Sequence, residues 1–203
     1  EGDPFNKILH NKSMNKLRSK NLFKKVDFKI IDTENSDQKD INIIIEEKPT
    51  GEIMAGAGYG TDGSTFSIGI KENNFKGEGI NLNTRLSLTE QTVKGFFEYT
   101  HPNFAYSDRA LSTSIESSVT DKLTDFGYKS SLNKISLGTR YEQFEDTFFS
   151  PALSISSESL DTTSTASAAY KKQEGSYFDT TFDYALTYDK RNSAFQPSSG
   201  FYS

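Results

Sequence analysis

From Gly51 onward, apolar and polar residues alternate along the chain with a period of two. In residues 80–88, for example, Ile80, Leu82, Leu86 and Leu88 share one parity with Thr84, and the residues between them are all polar. Successive side chains of a strand point to opposite faces, so each such segment predicts a two-faced strand. The predicted strands cover residues 52–60, 65–73, 79–90, 92–101, 109–122, 128–142, 147–158 and 177–190, with a ninth beginning near residue 200. The Ser- and Thr-rich residues 159–176 are predicted to be a long loop.

Residues 1–50 follow a different pattern. Four apolar residues near the start are spaced as one face of a helix, and they predict a helix over about residues 5–20. Residues 26–30 and 41–45 predict two strands, joined by a polar turn at residues 34–37. We therefore expect an α+β unit in residues 1–50 and a β domain in residues 51–203.

Composition and strand length favour a membrane β-barrel over a soluble sandwich. Only 33% of the 203 residues are hydrophobic, which is little for a thick core. Several predicted strands reach ten residues or more, the length that a tilted strand needs to cross a bilayer. Their polar faces suit a water-filled lumen. The dipeptide Asp62-Gly63 is typical of a type I′ hairpin turn between the first two strands.

Charge and cysteine content remove other classes of protein. The net charge of −5 argues against a nucleic-acid partner, which would require a basic face. The absence of cysteine removes disulfide scaffolds, thiolate metal sites and cysteine nucleophiles.

An ordered set of motifs resembles the BamA family of outer-membrane protein assembly factors. The junction motif is Glu46-Glu47-Lys48-Pro49-Thr50-Gly51, followed by Gly56-Ala57-Gly58-Tyr59-Gly60-Thr61-Asp62-Gly63. Upstream, Glu1-Gly2-Asp3-Pro4-Phe5-Asn6 and the segment from Leu17 to Val26 resemble the second half of a POTRA domain, and three further motifs follow the junction in the family's order. These are Glu72-Asn73-Asn74-Phe75-Lys76-Gly77-Glu78-Gly79, Tyr99-Thr100-His101-Pro102-Asn103-Phe104, and Tyr188-Asp189-Lys190-Arg191 with Pro197-Ser198-Ser199-Gly200. The family consists of periplasmic POTRA domains followed by a barrel in the outer membrane of Gram-negative bacteria.

The resemblance implies a mainly β fold with two parts. Residues 1–50 would be the C-terminal part of the last POTRA domain, in the periplasm, and residues 51–203 the N-terminal half of an antiparallel transmembrane β-barrel. That half would supply about eight strands of the family's sixteen, with the closing strands and the lumen-loop motif expected in a second half. The implied partners are unfolded outer-membrane proteins, the assembly lipoproteins of the BAM complex and the lipid bilayer.

The sequence holds no catalytic or metal-binding constellation, and we expect neither an enzyme nor a cofactor. Of the two histidines, His101 could serve a Ser-His-Asp triad in principle, but it stands at a strand end before Pro102. The glycines of residues 56–60 lack the spacing and the lysine of a phosphate loop. The aspartates lack the spacing of a calcium loop.

The glycines of the first predicted barrel strand suggest a function without an active site. Glycine weakens strand pairing, so a barrel seam at this strand would open easily and offer its backbone to a client strand. The predicted client-binding residues of this lateral gate are Ile53, Met54, Ala55, Gly56, Ala57, Gly58, Tyr59 and Gly60. Alternatively, these glycines only relieve crowding in a curved strand.

The predicted function is therefore the folding and insertion of client outer-membrane proteins, by templating their strands at an openable seam. The main alternative is a POTRA-barrel translocator that secretes or inserts fewer clients. A passive outer-membrane channel and a soluble binding sandwich are the other two alternatives.

Overall fold

The computed structural model describes residues 4–33, 39–60, 63–191 and 197–203. The chain divides into two compact units, one formed by Glu1–Thr50 with Asp189–Ser203 and the other by Gly51–Tyr188. None of the helices in the described ranges has the length and apolar character needed to cross a bilayer.

The first unit contains one helix and a hairpin. Helix α1 (Lys7–Ser19) begins after Asn6, whose side-chain Oδ1 accepts the backbone N–H groups of the first turn, so the predicted helix is confirmed with slightly shorter ends. Strands β1 (Phe23–Asp32) and β2 (Lys39–Glu47) pair antiparallel. Both are longer than predicted, and the predicted turn at residues 34–37 lies outside the described residues.

Contacts between α1 and β1 hold this unit together. The Arg18 guanidinium donates to the Val26 carbonyl oxygen at 3.1 Å, and the His10 ring meets the edge of Phe28 at 5.5 Å between centroids. Val26 is the buried hydrophobic residue beneath the helix end. His10 therefore packs against aromatic rings and is placed within this small α+β unit.

The second unit is one antiparallel sheet of eight strands in the order β10-β9-β8-β7-β6-β5-β4-β3. Every strand pairs with its neighbours along the chain, as in an up-and-down barrel sheet. The strands are β3 (Gly51–Gly60), β4 (Gly63–Phe75), β5 (Ile80–Thr89), β6 (Thr92–His101), β7 (Ala110–Lys122), β8 (Tyr128–Phe144), β9 (Thr147–Thr162) and β10 (Gly175–Tyr188). Short helices α2 (Leu123–Phe126) and α3 (Ala168–Lys172) follow β7 and β9.

The eight predicted barrel strands are all present, but the predicted loop at residues 159–176 is wrong at both ends. Strand β9 continues to Thr162, and β10 already begins at Gly175, opposite Leu160. The Ser131 and Ser159 hydroxyl groups hydrogen-bond across β8 and β9 at 2.8 Å. Pairing thus continues past Ile155, the last apolar residue of the apolar-face row in β9, into the polar positions Ser157, Ser159 and Asp161. Near residue 200, where a ninth strand was predicted, the structure has a single bridge between Asp189 and Tyr202.

Register places most of the large apolar residues of the eight strands on one face of the sheet. One row of directly paired positions crosses the sheet from β3 to β8. It consists of Ile53, Ile70, Thr84, Phe97, Ile115 and Ile135, and Thr84 is its one polar member. This face is uncovered: Ile53 is 79% exposed and Ile135 is 50% exposed. In the described residues of the second unit, the buried hydrophobic residues are Ile80 of β5 and Ala166, which lies in the connection between β9 and α3. The sheet therefore forms no internal core, and its apolar face requires a nonpolar environment outside the chain.

Candidate functional site

Strand β3 is the outermost strand of the sheet. Along its ten residues it pairs with β4, and no strand of the described chain pairs with its other edge. Every residue of β3 is exposed. Since only one edge of the strand is used, β3 presents a row of backbone N–H and C=O groups that can pair with another strand.

The eight residues predicted to bind a client strand all lie in β3, on alternating faces. Ile53, Ala55, Ala57 and Tyr59 share the apolar face, and Ala57 stands opposite Phe66 of β4. Met54, Gly56, Gly58 and Gly60 lie on the polar face, together with Ser67 and Thr65 of β4. The structure thus brings these residues together as one edge of the sheet.

A shallow apolar groove, which was not predicted from the sequence, lies beside this edge. Its volume is about 450 Å³, and its floor includes Ala55 and Ala57. Its remaining lining residues come from β3, β4 and β5: Gly56, Phe66, Ser67, Ile68, Leu86 and Leu88. The groove exists because two small alanines stand in register with larger side chains. The sequence does show two alanines in β3 where the neighbouring strands have Phe, Ile and Leu. Only the strand register, however, places these alanines beside the larger side chains.

The glycines of β3 have free space around them in the described structure. A Cβ atom added at Gly58 or Gly60 would find no atom within 4 Å. At Gly56 the added Cβ would meet only the Ser67 Oγ atom, at 2.9 Å, and this hydroxyl group can rotate. Relief of crowding therefore does not account for Gly58 and Gly60 among the described residues. What glycine does at these positions is weaken the strand through its chain entropy and its missing side chain.

Other candidate chemistry has a structural role. The Nδ1 atom of His101 accepts the Asn103 N–H at 3.3 Å, and its ring meets the edge of Phe104 at 5.8 Å. This histidine thus shapes the turn after β6. In the described part of the chain, no three His, Asp or Glu side chains converge as a metal site.

Comparison with known proteins identifies a family over most of the sheet, from the end of β4 onward. The model of the Omp85 superfamily domain matches residues 74–203, which is more than half of the chain. The chain belongs to the Omp85 superfamily. Omp85 barrels are outer-membrane β-barrels without enzymatic activity that assemble or transport proteins, so this chain is not an enzyme.

One solved structure with this fold is a BamA barrel. The crystal structure of BamA from Haemophilus ducreyi lacking POTRA domains 1-3 matches with a TM-score of 0.65 and 22% identity, over 94% of this chain and 40% of that chain. CdiB from Acinetobacter baumannii matches with a TM-score of 0.47 and 14% identity, over 84% of this chain and 35% of that chain. The chain therefore spans about 40% of the length of the BamA structure it resembles.

The family explains the uncovered apolar face. In an outer-membrane Omp85 barrel, this face contacts the hydrocarbon of the bilayer and the opposite face lines the lumen. The polar face carries ion pairs such as Lys94 with Glu116, whose side-chain atoms lie 2.8 Å apart. A soluble sandwich, which would bury the apolar face between two sheets, is therefore wrong.

Proposed function

We propose that this chain is part of a BamA-type assembly factor that folds client outer-membrane proteins and inserts them into the membrane, with the edge of β3 as its lateral gate. The observation that carries the proposal is the exposed edge of β3, where Gly58 and Gly60 weaken the strand although the structure has room for larger side chains.

The physics of a bilayer gives such an edge its use. An unpaired backbone N–H or C=O group costs several kcal/mol in hydrocarbon, so an isolated strand does not enter the membrane readily. Pairing with β3 would satisfy those groups of the client strand while it inserts. Because backbone groups make these bonds, clients with different sequences could use the same edge.

The first unit supports the same proposal. A helix packed on an antiparallel hairpin is consistent with the C-terminal part of a POTRA domain over residues 1–50. In the proposed function this part lies in the periplasm of a Gram-negative cell, where it meets the assembly lipoproteins of the BAM complex and unfolded clients. The barrel part, residues 51–203, lies in the outer membrane.

Disulfide trapping tests the gate in the full-length protein. Single cysteines replace Ile53 through Tyr59 in a cysteine-free background, and each variant is mixed with an unfolded client that carries one cysteine in its last strand. A strand seated on β3 brings facing Cα atoms to about 4.5–5.5 Å, within disulfide range. We expect trapping at β3 positions of one parity, with the parity reversed when the client cysteine moves by one residue.

The matched control is Ile68→Cys. Ile68 lies on the same apolar face as Ala55 but belongs to β4, a strand that is paired on both sides. It should trap no client. Trapping that occurs only between β3 and the protein's own closing strand, with every client tested, would overturn the proposal. That result would favour the POTRA-barrel translocator or the passive channel.

A further inference from the structure

A row of aromatic rings crosses the membrane-facing side of β8, β9 and β10. Tyr141 meets the edge of Phe149 at 5.9 Å between centroids, and Phe149 lies 6.5 Å from Tyr184. Phe182 continues the row, 6.4 Å from Tyr184. These residues share the face of Leu137 and Leu153, and Tyr141 and Phe149 stand further toward the strand ends than those leucines.

A cation stands at one end of this row. The Arg109 guanidinium lies over the Tyr141 ring, 5.3 Å from its centroid, immediately before β7 begins. Arg109 is exposed, and no carboxylate of the described residues lies within ion-pair distance of it. Its sequence neighbour Asp108 is held in the turn, where the Asp108 N–H donates to the Asn103 Oδ1 atom at 2.9 Å.

The same end of the sheet carries a second cation on an aromatic ring. Lys76 lies over Phe75, with its Nζ atom 5.6 Å from the ring centroid, in the turn between β4 and β5. Because neighbouring strands are antiparallel, this turn and Arg109 lie at the same edge of the apolar face. This edge is where the apolar surface ends, and it carries positive charge beside aromatic rings.

We propose that Arg109, held on Tyr141, binds the phosphate of a phospholipid headgroup. Aromatic side chains settle at the headgroup level of a bilayer, which brings the guanidinium to the depth of the lipid phosphates. The planar guanidinium donates two parallel hydrogen bonds to such an oxyanion, and the ring beneath it fixes its plane. Tyr141 acts here as a positioning residue. The site needs only the outer-membrane barrel, and it relies on the proposed function for one detail, that this rim faces the periplasmic leaflet.

Native mass spectrometry of the full-length protein in a maltoside detergent tests the site. Phosphatidylglycerol is titrated, and the apparent Kd of the tightest retained lipid is measured. In Arg109→Gln the charge-assisted, bidentate pair is lost, so the apparent Kd of that lipid should rise about tenfold. Arg109→Lys should lose less lipid affinity, since it keeps the positive charge and loses only the two parallel hydrogen bonds of the guanidinium. The apparent Kd of Tyr141→Leu should lie between those of wild type and Arg109→Gln.

The matched control is Arg85→Gln, which removes an arginine from the polar face of the same sheet and should leave the Kd unchanged. Digalactosyldiacylglycerol, which has the same tails and no phosphate, should bind wild type and Arg109→Gln equally. The proposal would be overturned if Arg85→Gln lost as much phosphatidylglycerol affinity as Arg109→Gln, or if Arg109→Gln lost none. Displacement of the lipid by millimolar inorganic phosphate would overturn the lipid assignment. This experiment measures lipid binding and not client insertion, so the lipid site at Arg109 and the client gate at β3 can each fail without the other.

Discussion

The two outermost strands of the sheet, β3 and β10, are built differently. Strand β3 has ten residues and includes Gly56, Gly58 and Gly60, whereas β10 has fourteen residues and its glycine is the first residue. On the membrane side, β10 carries Phe178, Phe182, Tyr184 and Leu186, while β3 has two alanines between Ile53 and Tyr59.

This difference concerns how firmly each strand is held. Side chains of β10 join an aromatic row that reaches β8, so β10 is fixed by contacts beyond its backbone pairing. Strand β3 has a groove where such contacts would be, and on its polar face two glycines have no neighbour within 4 Å of an added Cβ. Both strands lie on the same sheet, yet β3 depends mainly on its hydrogen bonds to β4.

The largest expected effect comes from placing a charge on the membrane side of β10. Phe182→Arg should destabilise the full-length barrel by about 2–4 kcal/mol, because the guanidinium would enter hydrocarbon. Guanidinium chloride unfolding in phospholipid vesicles measures this cost. Thr181→Arg, one residue away on the polar face, is the control and should cost far less. Equal costs would mean that the two faces are assigned wrongly.

Removing the central ring of the aromatic row should weaken the attachment of β10. Phe149→Leu keeps an apolar side chain but loses the ring contacts to Tyr141 and Tyr184, at an expected cost of about 1 kcal/mol in the same unfolding experiment. Phe178→Leu is the matched control, since Phe178 is 70% exposed and makes no ring contact within the described chain. If Phe178→Leu lowered the free energy of unfolding by a comparable amount, the aromatic row would not stabilise the attachment of β10.

Filling the space at Gly58 should make β3 more like β10. Gly58→Ala is expected to stabilise the pairing of β3 by about 0.5–1 kcal/mol, because alanine loses less chain entropy and meets no atom. Hydrogen exchange of the β3 amides should then slow by roughly two- to fivefold. In the interior strand β6, Gly95→Ala is the control, since its added Cβ would be 3.9 Å from the nearest atom. It should leave β3 exchange unchanged, and client insertion should slow only in Gly58→Ala.

The smallest expected effect is the loss of Tyr59. This side chain is 86% exposed and has few protein contacts to lose, so Tyr59→Thr should lower the free energy of unfolding by less than about 0.5 kcal/mol through lost protein packing, while the lost lipid contact is common to both membrane-side tyrosines, Tyr59 and Tyr184. The same substitution at Tyr184, which contacts Phe149 and Phe182, should cost more. If Tyr59→Thr destabilised the barrel as much as Tyr184→Thr, the contrast between the two strands would not hold.

Strand positions and faces could be predicted from the sequence because alternation is a local property. The strands around residues 92–101 and 128–142 match β6 and β8 closely, and the apolar parity of residues 80–88 is the membrane-facing parity of β5. The prediction fails at residues 159–162 and 175–176, where the strands continue although their membrane-side positions, such as Ser159 and Asp161, are polar. Outside the apolar band nothing selects an apolar face, so the alternation ends while the hydrogen-bonded ladder continues.

The sequence by itself determined that this chain forms long, two-faced strands and that the first of them is rich in glycine. Only the tertiary structure decided what surrounds those residues. The free space at Gly58, the groove over Ala57 and the stacking of Arg109 on Tyr141 depend on which residues face each other across strands. That register is set by pairing along whole strands, which brings together residues more than thirty positions apart in the chain, such as Arg109 and Tyr141, and which no short segment specifies.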